Sequence, residues 1–104
     1  MATDATVAPR TVWPSEVERA AGQQGCAAAL PKVWEITRRI FPDSPHIDVH
    51  VEDDPEIADL RFIVFDVFVN GWDASRLARA HWQWIEEKTD CCSTPNHIVL
   101  GFRT

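Results

Sequence analysis

The stretch that decides the fold is LRFIVFDVFV, residues 60–69. Both alternating sets of this run are apolar apart from Arg61 and Asp66. Runs of this kind are typical of a strand that is at least partly covered on both faces. Asn70 and Gly71 follow and end the strand, so residues 60–69 are the clearest element that the sequence predicts.

A second strand precedes it, at residues 46–52. Its side chains alternate between polar and apolar, as His-Ile-Asp-Val-His-Val-Glu, and alternation with period 2 predicts a strand with one buried face. Asp53, Asp54 and Pro55 then form a turn, because proline presets the turn angle and cannot extend a ladder. The two strands are therefore expected to pair as an antiparallel hairpin.

Three helices and a last strand complete the predicted order. The helices are predicted at residues 15–23, 30–41 and 73–88, and the third strand at residues 97–103. The main elements follow as α-β-β-α-β, which predicts an α+β two-layer sandwich with two main helices on one face of a three-stranded, mainly antiparallel sheet. The simplest strand order is 2-1-3, and the alternative places strand 3 beside strand 2 and parallel to it.

Length and composition indicate one domain behind a short tail. The chain has 104 residues, of which 45% are hydrophobic, with five Trp and five Phe, enough for a core in a domain of this size. Residues 1–14 are mostly small and polar, with two prolines, and are predicted to form a flexible tail. Residues 15–104 are predicted to form the single α+β domain.

Charge excludes two classes of partner. The formal net charge is −6, and the chain lacks the basic stripe that nucleic-acid binding requires. An acidic chain is not attracted to an anionic membrane, and no apolar run approaches the length of a transmembrane helix.

The three cysteines show no zinc or redox spacing, and the first residues lack the apolar region of a signal peptide, so a cytoplasmic location is predicted.

Several short motifs resemble a group of small bacterial proteins. These motifs are Phe41-Pro42 before a strand, Asp54-Pro55-Glu56 between two strands, and Trp82 with Trp84 near the end of a helix. The similarity spans roughly residues 26–86. The group has no assigned activity, so the resemblance implies the order of elements and nothing about function.

One strand carries a candidate metal site. His46, Asp48 and His50 occupy alternate positions of residues 46–52, and such residues share one face at about 7 Å spacing. Imidazole and carboxylate groups are zinc and iron ligands, although a solvated polar row would look the same in sequence. No catalytic residue or cofactor is predicted, because the chain has no Gly-rich phosphate loop and no serine in a nucleophile elbow.

A candidate interface follows from the same alternation. If the apolar side chains of residues 46–52 face the helices, residues 60–69 must send one apolar set outward. Phe62, Val64 and Phe68 are the predicted set, because they share their parity with Asp66, whose carboxylate would be costly against the helices. An exposed apolar patch predicts a homodimer or a protein partner. A tail folded across this face through Trp13 would instead give a monomer.

The leading prediction is therefore a small interaction or assembly module, not an enzyme, that associates with itself through the open sheet face. The alternative is a small metal-binding protein or enzyme that uses His46, Asp48 and His50.

Overall fold

The computed structural model describes residues 13–91 and 97–104. They form an α+β fold of three helices and a three-stranded mixed sheet, and every predicted element is found within one residue of its predicted bounds. In chain order the elements are α1 (Ser15–Gln23), α2 (Leu30–Ile40), β1 (Ile47–Asp53), β2 (Arg61–Phe68), α3 (Ala74–Thr89) and β3 (Ile98–Arg103), with a 3-10 turn at Ala27–Ala29 before α2. Within the described residues no helix has the length and apolar character needed to cross a membrane.

β2 is the central strand, so the predicted order 2-1-3 is wrong. The sheet order is β1-β2-β3, with β1 antiparallel and β3 parallel to β2. This is the alternative that the sequence left open. The physical reason lies in residues 60–69, because a strand that is apolar on both faces loses most water exposure when it has ladder partners on both sides.

One face of the sheet carries the hydrophobic core. The register sets Ile47 opposite Val67, Val49 opposite Phe65, and Ile63 opposite Ile98. We call this the core face. All six residues are at most 8% exposed and belong to one cluster with buried residues of all three helices.

A buried hydrogen-bonded chain joins α2 to α3. The indole Nε1 of Trp84 donates to the hydroxyl of Thr37 at 2.8 Å, and that hydroxyl donates to the carbonyl of Val33 at 2.7 Å. Both side chains are at most 1% exposed. Their polar atoms are therefore satisfied inside the core, where an unpaired group would be costly.

Trp13 packs with the helices. Its ring meets that of Trp34 edge-on with centroids 6.0 Å apart, and its Nε1 donates to Glu18 Oε2 at 3.2 Å. Trp13 is 9% exposed and belongs to the cluster that includes the core face. The rest of the predicted tail, residues 1–12, lies outside the described residues.

Candidate functional site

The second face of the sheet brings charged residues from all three strands together. Asp48 lies opposite Asp66, and Asp66 lies opposite Gly101. Strand alternation places His50 and Arg103 on this same face. We call it the cluster face.

Asp48, His50 and Asp66 form a compact set of metal-ligating groups. One ligand atom from each lies within 4.8 Å of the others. His50 Nδ1 is 3.8 Å from Asp48 Oδ2 and 3.7 Å from Asp66 Oδ2. The Asp66 side chain is 10% exposed and that of Asp48 is 45% exposed, so the cluster opens to solvent on the β1 side.

The two ring nitrogens of His50 have different surroundings. Nε2 lies 2.8 Å from Glu52 Oε2, and an ionised carboxylate only accepts hydrogen bonds, so Nε2 carries a proton. Nδ1 is buried and has no hydrogen-bond partner among the described residues. In the neutral ring, Nδ1 therefore offers a lone pair beside two carboxylate oxygens.

Arg103 supplies positive charge to the same cluster. Its Nε and Nη2 lie 3.0 and 2.7 Å from Asp66 Oδ2, and Nη2 is 3.4 Å from Asp48 Oδ2. The Arg103 side chain is 47% exposed. The guanidinium thus compensates both the buried Asp66 carboxylate and the half-exposed Asp48 carboxylate.

Gly101 makes room for the Asp66 carboxylate. A Cβ atom at residue 101 would lie 1.9 Å from Asp66 Oδ1 and 3.4 Å from Val64 Cγ1. Real side chains do not approach so closely, so any other residue would displace Asp66. Glycine inside a strand often marks such a close approach.

The cluster differs from the predicted site by its members. Asp48 and His50 are brought together as predicted, but His46 lies before β1, is exposed, and packs its ring on Phe68 at 4.7 Å between centroids. Asp66 and Arg103 were missed because they are distant in sequence. A signal for Asp66 was present, since it is the one charged residue within residues 62–69.

The predicted interface residues lie on the cluster face. Phe62 is opposite Glu52, Val64 opposite His50, and Phe68 opposite Arg103. Val64 is only 6% exposed, and the two phenylalanines are half-buried. The large hydrophobic side chains that are exposed among the described residues lie elsewhere, at Ile57, Trp82 and Phe102. Association through Phe62, Val64 and Phe68 stays a prediction, with less apolar surface than expected.

A groove that carries two arginines and one glutamate lies between α2 and the start of β1. It has a volume of about 770 Å³ and is called the arginine groove here. Its lining includes Trp34, Glu35, Arg38, Arg39, Phe41, Ser44, Pro45 and His46. A second groove of about 420 Å³ shares Arg39 and Pro42 with it and adds Arg76 and Arg79.

Two of these arginines have acidic partners. Arg39 pairs with Glu87 of α3, and Arg76 lies 3.4 Å from Asp43. The hydrogen bond from Arg39, with a smaller contribution from Gln83, lowers the pKa of Glu87 below its usual value. Arg38 has no ion pair within residues 13–91 and 97–104. Four arginines therefore gather around one region of an otherwise acidic chain.

Fold and cluster together describe a small α+β domain with a histidine–carboxylate cluster on one sheet face. Comparison with protein-family models, with curated proteins and with solved structures finds no match to this chain. The resemblance to small bacterial proteins therefore stays a prediction. Function has to be argued from the cluster and its surroundings.

Proposed function

We propose that this chain binds a divalent transition-metal ion of the Zn²⁺ type through Asp48, His50 and Asp66. The observation that carries the proposal is His50 Nδ1, which is buried, has no hydrogen-bond partner among the described residues, and lies beside two carboxylate oxygens. A lone pair facing two negative oxygens is unfavourable by itself. A cation placed between the three atoms would make each of these contacts favourable.

The spacing of the three atoms suits such an ion. Ligand atoms bound to zinc at about 2.0–2.2 Å in a tetrahedron lie roughly 3.4 Å from one another. The two distances from His50 Nδ1 are 3.7 and 3.8 Å. The three ligand atoms all lie within 4.8 Å of one another, so side-chain rotations that draw them together and displace Arg103 from the carboxylates would form the site.

The surroundings of His50 match those of ligating histidines. Such histidines donate their other ring N–H to a carboxylate or carbonyl, which fixes the tautomer and raises the basicity of the ligand. The contact between His50 Nε2 and Glu52 Oε2 has this role. Gly101 contributes on the other side, because it leaves the space in which the Asp66 carboxylate lies.

An open coordination position follows from the arrangement of layers that we propose. In this arrangement the helices cover the core face and leave the cluster face to solvent, as a two-layer sandwich. The membership of the core supports it, since Val64 is buried but lies outside the core cluster that joins all three helices. Three protein ligands and one position open to water are typical of zinc sites that take part in reactions.

Titration calorimetry with Zn²⁺ on the full chain, paired with native mass spectrometry, tests the proposal. We expect one ion per chain. His50→Ala removes a ligand and should weaken Zn²⁺ binding by more than about 100-fold. Loss of a hydrogen-bond partner of a ligand costs up to about 100-fold, and loss of the ligand itself should cost more. Glu52→Ala removes such a partner and should cost about 10–100-fold.

His46→Ala is the matched control, since His46 lies next to the same strand but outside the cluster. The variant should bind Zn²⁺ with the same affinity as the wild type. Absence of a bound ion in the wild type would overturn the proposal, and so would unchanged affinity in His50→Ala.

Arg103 provides a second test, because the proposal predicts that its removal tightens Zn²⁺ binding. The guanidinium compensates the same carboxylate oxygens that the ion would bind, so it competes with the ion. Arg103→Gln should therefore tighten Zn²⁺ binding while lowering the stability of the metal-free protein. If Arg103→Gln loses binding although circular dichroism shows it folded, the cluster is an ion-pair network and not a metal site.

A further inference from the structure

β1 is an edge strand with free hydrogen-bonding groups. The strand order leaves one side of β1 without a neighbouring strand. Asp54 N donates to Leu60 O at 2.8 Å at the turn, and hydrogen-bonded pairs alternate along an antiparallel ladder. Even-numbered residues of β1 therefore bond to β2, and the N–H and C=O groups of Ile47, Val49 and Val51 point outward. In the described part of the chain no backbone group of another element bonds to them.

We infer that β1 pairs antiparallel with β1 of a second copy of this chain, around a two-fold axis at Val49. The pairing joins two three-stranded sheets into one of six strands and satisfies the outward backbone groups of both copies. A two-fold interface between identical chains is the commonest form of self-association. This interface uses the edge of the sheet and is distinct from the predicted patch at Phe62, Val64 and Phe68.

Side-chain charge selects this register. With the axis at Val49, Asp48 lies opposite His50 of the partner subunit, and His46 lies opposite Glu52 of the partner subunit. The carboxylates of β1 thus lie opposite histidines or Pro45 and never opposite one another, so this register avoids cross-strand repulsion.

In the neighbouring registers, carboxylates of the two copies lie opposite each other. An axis at Asp48 sets that carboxylate against its own copy, and an axis at His50 sets Asp48 against Glu52 of the partner subunit. Like charges directly opposite are destabilising. Charged edge strands usually discourage pairing, but the alternation of acid and histidine along β1 keeps the carboxylates of the two copies apart in one register.

The turn after β1 supplies an independent match. Residues 53–59, called the acidic turn here, carry four carboxylates, of which Asp53 is already paired with Arg61 at 3.0 Å. They also carry Ile57, which is 57% exposed. In the proposed register Asp53 lies opposite Pro45 of the partner subunit, and Pro45 lines the arginine groove. Each acidic turn therefore reaches the arginine groove of the other copy, where Arg38 has no ion pair among the described residues.

The opposite edge of the sheet offers no such complement. β3 has Arg103 as its one charged residue. Pairing two β3 strands would bring no opposite charges together, so the observations favour the β1 edge.

Sedimentation equilibrium with charge-reversed variants tests the interface. We expect the wild type to be a dimer of twice 11.8 kDa. Arg38→Glu puts a negative charge into the groove, and Glu56→Lys with Ile57→Lys puts two positive charges at the exposed tip of the turn. Each variant alone should dissociate at least tenfold more readily. These side chains are exposed, so the fold should be retained. An equimolar mixture of the two variants should restore the dimer, because a heterodimer recovers both turn–groove contacts.

Disulfide cross-linking tests the register. His46→Cys with Glu52→Cys, in a background of Cys91→Ser and Cys92→Ser, should give a covalent dimer under mild oxidation. Neither single cysteine should give a covalent dimer. Identical residues of the two copies are six positions apart along the paired strands, which is about 20 Å. All measurements are made with chelator present, so that the result does not depend on the proposed metal.

Three outcomes overturn the inference. They are a monomeric wild type, equal cross-linking by the single-cysteine variants, and a dimer that Phe62→Lys dissociates while the charge-reversed variants leave it intact. The last outcome would place the interface on the cluster face instead.

Discussion

The two faces of one sheet differ in how much their contacts contribute to stability. On the core face, Ile63, Phe65 and Val67 are completely buried against the helices. On the cluster face, their neighbours Val64 and Asp66 are also nearly buried, at 6% and 7% exposure, but Asp66 is desolvated and needs Arg103 as a partner. Apolar burial stabilises directly, whereas a buried ion pair roughly offsets its own desolvation.

This difference suggests a division of roles within each strand. Side chains of one parity belong to the core cluster, and side chains of the other parity bring ionisable groups within a few ångströms of one another. Residues of the cluster face can then be changed at smaller cost to the fold. The contributions of the two faces to stability can therefore be compared by substituting one residue at a time.

The largest expected effect comes from two phenylalanines on the same strand. Phe65→Ala removes a fully buried ring and should cost about 3–5 kcal/mol of unfolding free energy. Phe62→Ala removes a half-buried ring on the cluster face and should cost less than about half as much. Urea denaturation of both variants measures the contrast, and equal losses would mean that the two faces are equally packed.

The next effect concerns the space around Asp66. Gly101→Ala puts a Cβ against the Asp66 carboxylate and should cost about 1–3 kcal/mol, as overpacking generally does. It should also abolish Zn²⁺ binding. Gly22→Ala is the control, because a Cβ there meets nothing within 4 Å. At this exposed position of α1 the substitution should stabilise the protein by about 0.4–1 kcal/mol. Unchanged stability in Gly101→Ala would contradict the close approach.

The smallest expected effect is the loss of stability at low pH that comes from the exposed Arg39–Glu87 ion pair, which lies outside the cluster. Glu87 has a lowered pKa in the folded state, so its stabilising contribution is present above the unfolded-state pKa, near 4.5. That contribution is lost as the pH falls through the lower folded-state pKa. Because the pair is exposed, the loss should stay below about 1 kcal/mol. Thermal unfolding of wild type and Glu87→Gln from pH 6 to about pH 3 measures it, and the expectation fails if the variant shows the same loss.

Local features of the sequence were enough for part of the candidate site. Asp48 and His50 could be paired because alternation within one strand is a property of neighbouring residues. Asp66 and Arg103 could not be joined to them, since their approach depends on which strands are adjacent. His46 was included because it shares the parity of Asp48, but it lies outside β1 and contacts Phe68 instead.

The sequence by itself determined the bounds of the helices and strands and the two faces of each strand. It did so because helix capping, turn formation and strand alternation act over a few residues. Only the tertiary structure decided that β2 is central and that Asp66 meets Gly101. Strand order depends on contacts between residues far apart in the chain, and both candidate orders bury the same alternating apolar side chains. The two-sided apolar run of residues 60–69 favours a central place for β2, but the strands that pair with it are decided by contacts that a local pattern does not specify.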